Sequence, residues 1–338
     1  MRSLAVLLLL ALLAPGLSGC SDDPAPAPGP KPSAEPTRGT GAVDPPPAAK
    51  DEAEVVARVH AAVDAARADD PIPGRTAPSV ASLKSDYARG GACPAFYRSD
   101  GDWTLCERGD VDGKRTMVVI GDSHARQWGS PLDILAERAG YSAYHLVRLG
   151  CPAADITPWL NKGDGPNVVC EQFHAWTAEQ VRALKPDVVV LATSFNPNGY
   201  YVDGAQVLDE DERLQLLRES MARLVEQLDP DVGRFVVIGD PPAVQLSPLK
   251  CLMRARTLGR CAAYGADLSL KAIEAVRAAA GDVGATYIST TDWFCLLNYC
   301  PTVLGELLPY RDQNHVSDTY ARYLTEVIGQ RLLLDSVR

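Results

Sequence analysis

The sequence predicts an α/β protein with a three-layer α/β/α sandwich built on a five-stranded parallel sheet. Five short runs rich in Val and Ile recur along the chain, each bounded by Gly, Pro or Asp. Segments of helical length separate the runs, which is the pattern of parallel strands joined by crossover helices. The predicted strands are Thr116–Ile120, Ser142–Val147, Asp187–Ala192, Arg234–Ile238 and Ala285–Ser289.

The segments between the strands carry apolar residues at helical spacing. Residues three or four positions apart lie on one face of a helix, where they can pack on a sheet. Such faces occur at Leu132, Leu135, Ala136 and Ala139, and at Leu214, Leu217, Met221 and Leu224. The same spacing predicts an N-terminal helix over residues 52–66 and a closing helix over residues 318–334.

Residues 1–20 have the pattern of a secretion signal. Arg2 precedes an apolar stretch from Leu4 to Ala14, which is shorter than the roughly 20 residues that a membrane span needs. The segment ends in Leu-Ser-Gly-Cys and resembles the lipobox of bacterial lipoproteins, in which Cys20 would be acylated. An ordinary signal peptide that ends near a cysteine is the alternative. Lipidation predicts an extracytoplasmic protein anchored to the cell membrane.

Residues 21–50 are predicted to form a disordered tether. They contain nine prolines and six alanines and almost no large apolar side chain. Such a segment cannot bury enough apolar surface to offset the entropy that an ordered chain loses. The remaining residues, 51–338, are long enough for one large domain. We divide this domain into an N-terminal extension, residues 51–110, and a catalytic core, residues 111–338.

Composition excludes some kinds of partner. The formal net charge is −10 and the isoelectric point is about 5.0, without the clustered Lys and Arg that nucleic-acid binding needs. The cysteine and histidine spacings do not match a zinc site. The sequence therefore predicts no nucleic-acid partner, no metal and no cofactor.

Nine cysteines occur in the chain, and lipidation of Cys20 would leave eight. An even number in an oxidising compartment favours disulfides, although eight cysteines allow 105 pairings. Pairing neighbours along the chain predicts the bridges Cys93–Cys106, Cys151–Cys170, Cys251–Cys261 and Cys295–Cys300.

A candidate nucleophile follows the first predicted strand. Gly121-Asp122-Ser123-His124 stands at the strand's carboxyl end, the edge of an open α/β sheet where ligands bind. A serine there is exposed, and its N–H lies near a helix N-terminus. The alternative is that Asp122 and Ser123 only cap the next helix. His124 has two open interpretations, contact with substrate or packing against the loop.

A candidate base lies just before the closing helix. A serine hydroxyl needs a base to take its proton, and the base must be held by a third group. Asp312 and His315, three residues apart on one loop, can supply both roles. The segment ending at Gly239-Asp240 repeats the strand end at Gly121-Asp122, but it continues Pro241-Pro242 and offers no nucleophile.

These motifs resemble the SGNH/GDSL hydrolase superfamily. Gly-Asp-Ser-His after a buried strand and a C-terminal Asp-x-x-His carry the likeness. Three further segments are similar to the SGNH domain fused to acyltransferase-3 membrane proteins, here as a stand-alone lipoprotein. They are Leu149-Gly150-Cys151-Pro152, Val237-Ile238-Gly239-Asp240-Pro241-Pro242, and the run Trp293-Phe294-Cys295 to Asn298-Tyr299-Cys300-Pro301 that is followed by Pro309-Tyr310-Arg311-Asp312-Gln313-Asn314-His315-Val316-Ser317.

The resemblance implies roles for individual residues. It makes Ser123 the nucleophile, His315 the general base and Asp312 its orienting partner. It implies an oxyanion hole formed by the N–H groups of Ser123 and Gly150 and by the asparagine that follows the third strand; the alternative for Gly150 is an ordinary turn glycine. Asn196 is the choice for that asparagine and Asn198 is the alternative, because Ser194-Phe195-Asn196-Pro197 departs from the superfamily's Gly-x-Asn-Asp block.

The resemblance also implies a function. We expect an O-acyl esterase or O-acyltransferase, with acetyl as the expected acyl group, that acts on a cell-envelope polysaccharide or other glycan. The fused membrane domain of the relatives is missing, so a separate membrane acyltransferase is an expected partner. The alternatives are a non-catalytic glycan-binding lipoprotein, which would not need all three triad residues, and a lipase-type esterase, which lacks an evident apolar lid here.

Overall fold

The computed structural model describes residues 41–89, 103–160 and 165–332. Its strands are β1 Gly41–Ala42, β2 Arg75–Thr76, β3 Glu107–Gly109, β4 Arg115–Gly121, β5 Tyr141–Val147, β6 Thr157–Pro158, β7 Val188–Ala192, β8 Tyr200–Val202, β9 Ala205–Val207, β10 Phe235–Ile238, β11 Ala262–Tyr264, β12 Thr286–Ile288 and β13 Tyr299–Pro301. Its α-helices are α1 Glu52–Arg67, α2 Ser123–Arg126, α3 Gly129–Ala139, α4 Val169–Leu184, α5 Glu210–Leu228, α6 Pro248–Leu252, α7 Asp267–Asp282, α8 Asp318–Tyr323 and α9 Thr325–Leu332.

The central sheet has the order β12-β10-β7-β4-β5-β3. Its first five strands are the five that the sequence predicts, and they pair in parallel. The sixth strand, β3, is a correction to the prediction: it pairs antiparallel with β5 through the register Arg108 to Ala143. It escaped prediction because Glu-Arg-Gly lacks the Val and Ile of a buried strand, and an edge strand does not need them.

Helices cover both faces of the sheet, which confirms the three layers. Alternate side chains of β4 point to opposite faces. Met117 and Val119 pack in one core with α1, α3, α8 and α9. Val118 and Ile120 pack in a second core with α4, α5 and α7. Because β4 is buried on both faces, its carboxyl end is held rigidly at the centre of the sheet.

Residues 41–50 lie on the domain, whereas the sequence analysis assigned them to the tether. Strand β1 pairs in parallel with β2. The N–H of Ala49 donates to the carbonyl of Tyr323 (2.8 Å), and Ala49 is completely buried. Proline lacks a donor but can occupy an extended edge, so this proline-rich stretch docks on the domain through its few donors and small side chains.

The closing helix is two helices, not one. The break falls at Leu324, whose N–H reaches the carbonyls of Tyr320 and Ala321 in a tightened turn. The Thr325 hydroxyl donates to the Arg322 carbonyl (2.7 Å), and such side-chain bonds compete with the helical ladder. Residues 333 and 334 of the predicted helix fall outside the described residues.

Three of the predicted disulfides are present: Cys151–Cys170, Cys251–Cys261 and Cys295–Cys300. Cys106 is also disulfide-bonded, and its predicted partner Cys93 lies outside the described residues. Cys20 and the predicted leader lie outside them too. Within the described part of the chain, no helix has the length and apolar character of a membrane span.

Replacing Gly121 with alanine is expected to destabilise the fold by about 3 kcal/mol. Its φ is +148°, and an added Cβ would lie 2.0 Å from the backbone oxygen of Ala192 on the neighbouring strand. Urea unfolding measures the effect. Gly281→Ala is the matched control: its Cβ would meet nothing within 4 Å, and we expect a gain of about 0.5 kcal/mol from helix propensity. Equal stability of the two variants would contradict the prediction that a side chain at position 121 strains the backbone.

Candidate active site

Four parallel strands end at one level and bring their loops together. Gly121, the last residue of β4, is in register with Val147 of β5 and Ala192 of β7, and Leu191 is in register with Val237 of β10. Parallel sheets collect ligand-binding loops at this edge. The segments that the sequence analysis singled out after these strands therefore meet in three dimensions.

The turn after β4 presents Ser123 as the first residue of α2. Buried Asp122 caps this helix, because its carboxylate accepts the N–H of His124 (2.8 Å). The same carboxylate accepts the N–H (3.1 Å) and the hydroxyl (2.5 Å) of Ser194 from the neighbouring loop. As the first helical residue, Ser123 has no intrahelical acceptor for its N–H, so that donor is available to a bound group.

The structure brings Ser123, His315 and Asp312 together. Nε2 of His315 lies 2.9 Å from Oγ of Ser123, and Nδ1 lies 2.9 Å from both carboxylate oxygens of Asp312. A proton on Nδ1 donates to Asp312, which leaves Nε2 to accept the Ser123 proton. Asp312 also accepts the N–H groups of Asn314 (3.1 Å) and His315 (2.9 Å). The carboxylate thus fixes both the loop and the ring.

The pKa values of this acid and base fit their separate roles. Burial raises the pKa of Asp312, but the bond to His315 and the nearby charges outweigh it and lower that pKa to about 2. Asp312 is therefore ionised at neutral pH. Burial lowers the pKa of His315, and the positive charges of His124 and Arg311 add to this effect against the raising influence of Asp312. His315 is therefore a free base at neutral pH.

Gln127 connects the two distant segments of the site. Its Oε1 accepts the N–H of Val316 (3.0 Å), and its Nε2 donates to Asp240 (3.4 Å). Gln127 stands four residues after Ser123, and Val316 directly follows His315. This amide therefore holds the loop of the base against the helix of the nucleophile.

The N-terminal extension also reaches the site. The ring of Tyr87 lies under the guanidinium groups of Arg126 (4.8 Å) and Arg311 (5.3 Å). Arg311 in turn lies 3.3 Å from the Asp312 carboxylate. Cation–π contacts of this kind are worth about 0.5–2 kcal/mol. The extension therefore supports the loop that carries the acid and the base.

His124 forms a second histidine–carboxylate pair beside the first. Its Nδ1 lies 2.6 Å from Asp240, its ring lies 4.6 Å from the ring of His315, and the residue is only 1% exposed. Burial alone would lower the pKa of His124, but Asp240, Asp122 and Asp312 outweigh burial and raise it to about 9. This direction of the pKa shift favours the imidazolium form of His124 at neutral pH.

The charge on His124 leads to a prediction for His315. We expect the pKa of His315 to lie below its ordinary 6.5 and to rise in a His124→Gln variant, because a neighbouring cation disfavours the protonated form. NMR titration of the ring protons measures both values. His60→Gln on the exposed side of α1 is the control and should leave the pKa unchanged. A fall in the pKa of His315 on removal of His124 would contradict the electrostatic account.

Most of the chain, including the candidate site, matches a known protein-family model. The model described as the SGNH domain fused to AT3 domains matches residues 92–330, which is more than two thirds of the chain. The chain belongs to this SGNH family. The match confirms the resemblance that the sequence motifs carry, and the Ser123, Asp312 and His315 segments all lie within it. A search of curated protein sequences finds no significant match.

Several solved structures are similar to this SGNH chain. One is the periplasmic domain of a lipopolysaccharide acetyltransferase from Salmonella ser. Paratyphi A, with 18% identity, coverage of 66% of this chain and 85% of that one, and a TM-score of 0.49. Another is an acetylxylan esterase from Geobacillus stearothermophilus, with 15% identity, 68% and 99% coverage, and a TM-score of 0.40. A third is a GDSL-like lipase from Bacteroides thetaiotaomicron, with 15% identity, 64% and 86% coverage, and a TM-score of 0.39.

The predicted oxyanion donors of the SGNH chain have different surroundings. Gly150 has a φ of +78° in an exposed turn, and its N–H has no acceptor among the residues described around it. The Asn196 side chain donates to the Trp159 carbonyl (2.9 Å) and accepts the N–H of Asn198 (3.0 Å). An amide nitrogen has two protons, so one donor of Asn196 is committed to the loop. Both assignments stay predictions.

Sequence reasoning missed Asp240 and Gln127. Asp240 was set aside because its strand end offers no nucleophile, yet it is the partner of His124. The signal was present in the repeated Val-Ile-Gly-Asp of β4 and β10, since equivalent strand ends of one parallel sheet lie at the same edge. Nothing in the sequence around Gln127 distinguishes it from an ordinary polar helix residue. For His124, the structure shows a buried residue whose ring contacts the Asp240 carboxylate.

Proposed function

We propose that the protein is an extracytoplasmic serine-dependent O-acyl esterase or O-acyltransferase that acts on cell-envelope glycans. The observation that carries this proposal is the 2.9 Å contact between His315 Nε2 and Ser123 Oγ, with Asp312 at the other ring nitrogen. A nucleophile, a base and an orienting acid in this order are the requirements of acyl transfer through serine. Membership of the SGNH family supports the same class of reaction.

The first half-reaction makes an acyl-enzyme. His315 Nε2 takes the proton of Ser123 as Oγ attacks the ester carbonyl carbon, and the carbonyl oxygen becomes an oxyanion. The N–H groups of Ser123 and Gly150, with Asn196 as a third donor, would hold that oxyanion, and one such donor is typically worth about 3 kcal/mol. The tetrahedral carbon then expels the alkoxide, which receives the proton from His315.

The second half-reaction decides between esterase and transferase. His315 takes a proton from an acceptor hydroxyl, whose oxygen attacks the acyl carbon and releases Ser123, which regains its proton. Water as acceptor yields a free acid, and a sugar hydroxyl yields an acylated glycan. For a transferase, we propose that a separate membrane acyltransferase supplies the acyl group.

Two features support an extracytoplasmic location. The predicted leader ends at Cys20, and the folded domain contains three disulfides in its described part, which persist in oxidising compartments. Lipid anchoring through Cys20 is part of the proposal. Mass spectrometry of the mature N-terminus tests it: a diacylglyceryl adduct on Cys20 supports anchoring, and an unmodified N-terminus contradicts it.

Turnover assays test the proposed activity. The purified, oxidised mature chain is incubated with an activated acetyl ester, with and without envelope polysaccharide, and the products are analysed by NMR. We expect turnover that depends on Ser123 and yields acetate or an O-acetylated glycan. Glycan binding without turnover by folded protein, with or without added membranes, would contradict the proposal and favour a binding protein.

A further inference from the structure

A cavity of about 200 Å³ opens beside the candidate active site. It lies between the N-terminal half of α7 and the loop that follows β7. Its walls fall into two regions of different chemistry. One end is polar and includes His124, Asp240 and Asn314, and the other end is apolar.

The apolar end is formed mainly by α7. Ala272, Ile273 and Val276 line it from this helix, and Phe195 lines it from the opposite loop. The three helix residues are no more than 6% exposed, so their side chains form a fixed wall. The hydroxyl of Ser269 at this helix accepts the N–H of Ala243 (2.9 Å). A ligand group here would thus meet mostly hydrocarbon.

The polar end includes residues that neighbour the candidate triad, whereas Ser123 and His315 themselves are not part of the lining. The His124 ring in the cavity wall lies 4.6 Å from the ring of His315, whose Nε2 contacts Ser123. Asn314, also in the wall, directly precedes His315 and donates to Asp312. The cavity therefore has in its wall two residues, His124 and Asn314, that are direct neighbours of the candidate base.

We infer that this cavity binds the hydrocarbon chain of the acyl group and selects chains of about four to six carbons over acetyl. The inference rests on the proposed function. An apolar cavity of about 150 Å³ accepts a ring of six carbons, and the two carbons of an acetyl group would leave most of this space unfilled. A sugar is a poor occupant of the apolar end, because its hydroxyls would lose their hydrogen bonds to water without replacement.

The size of the expected preference for longer chains follows from the free energy of moving a methylene group from water into an apolar cavity. Each methylene that enters the cavity should raise kcat/KM about fourfold, so that a hexanoyl ester exceeds an acetyl ester by two orders of magnitude or more. Chains longer than the cavity should gain nothing further. The polar end should be occupied by the ester group itself, near Ser123.

The experiment compares p-nitrophenyl esters from two to ten carbons with the wild-type chain and three variants. Ala272→Leu fills the cavity and should lower the ratio of hexanoyl to acetyl turnover at least tenfold. Ile273→Ala enlarges it and should move the optimum to longer chains. Ala278→Leu is the matched control on another face of α7, outside the cavity lining, and should keep the wild-type ratio.

The outcomes separate this inference from the proposed function. A wild-type preference for acetyl, or chain-length profiles that are the same in all four proteins, would overturn the inference while leaving a Ser123-dependent enzyme. Absence of turnover on every ester would overturn the proposed function, and the inference with it. Opposite shifts in Ala272→Leu and Ile273→Ala would establish the cavity as the acyl site even if one variant folded poorly.

Discussion

Ser123→Ala is expected to lower kcat/KM for an activated acyl ester by a factor of about 10⁴–10⁶. The substitution removes Oγ, the hydroxyl oxygen that lies 2.9 Å from His315 Nε2. Without this oxygen no acyl-enzyme can form. Steady-state turnover measures the loss. Intact-mass spectrometry should show an added acyl group on the wild-type chain and none on the variant.

Ser130→Ala is the control for this loss. Ser130 is also buried and stands seven residues further along the chain, but its hydroxyl contacts Arg322 (2.9 Å) and no residue of the triad. We expect near-wild-type turnover and a small loss of stability. Full turnover by a folded Ser123→Ala chain would rule out the serine mechanism.

Asp312→Asn is expected to lower kcat/KM by a factor of about 10²–10⁴. An amide can still accept backbone N–H groups, so the loop should keep its shape. It cannot balance the imidazolium that forms during the reaction, and its NH₂ can face Nδ1 and impose the wrong tautomer on His315. The pKa of His315 should also fall, because the charge of Asp312 raises that pKa.

Two measurements distinguish a catalytic from a structural effect of Asp312→Asn. The melting temperature should change little, since the Asp312 carboxylate is 45% exposed. Asp292→Asn, an exposed carboxylate in the turn after β12, should leave turnover unchanged. A loss of less than about threefold in folded Asp312→Asn protein would show that His315 needs no orienting acid.

The local elements of the fold could be predicted from the sequence. The ends of the five parallel strands and of helix α1 were predicted within one or two residues. A continuous run of buried apolar residues marks each strand, and an apolar face that recurs over several turns marks the helix. The edge strand β3 and the docking of residues 41–50 could not be predicted. Neither segment has a strong period of its own, and each is ordered by a partner that lies more than 30 residues away.

In the candidate site, too, some residues could be predicted from the sequence and others could not. Ser123, Asp312 and His315 were found because serine, acid and base chemistry leaves recognisable local motifs at a strand end and on one loop. The sequence by itself thus determined the fold class and predicted the three side chains that the structure brings together in the candidate triad. Only the tertiary structure decided that Asp240 pairs with His124 and that Gln127 connects the two segments. Such contacts join residues more than 100 positions apart, and packing, not local pattern, sets their geometry.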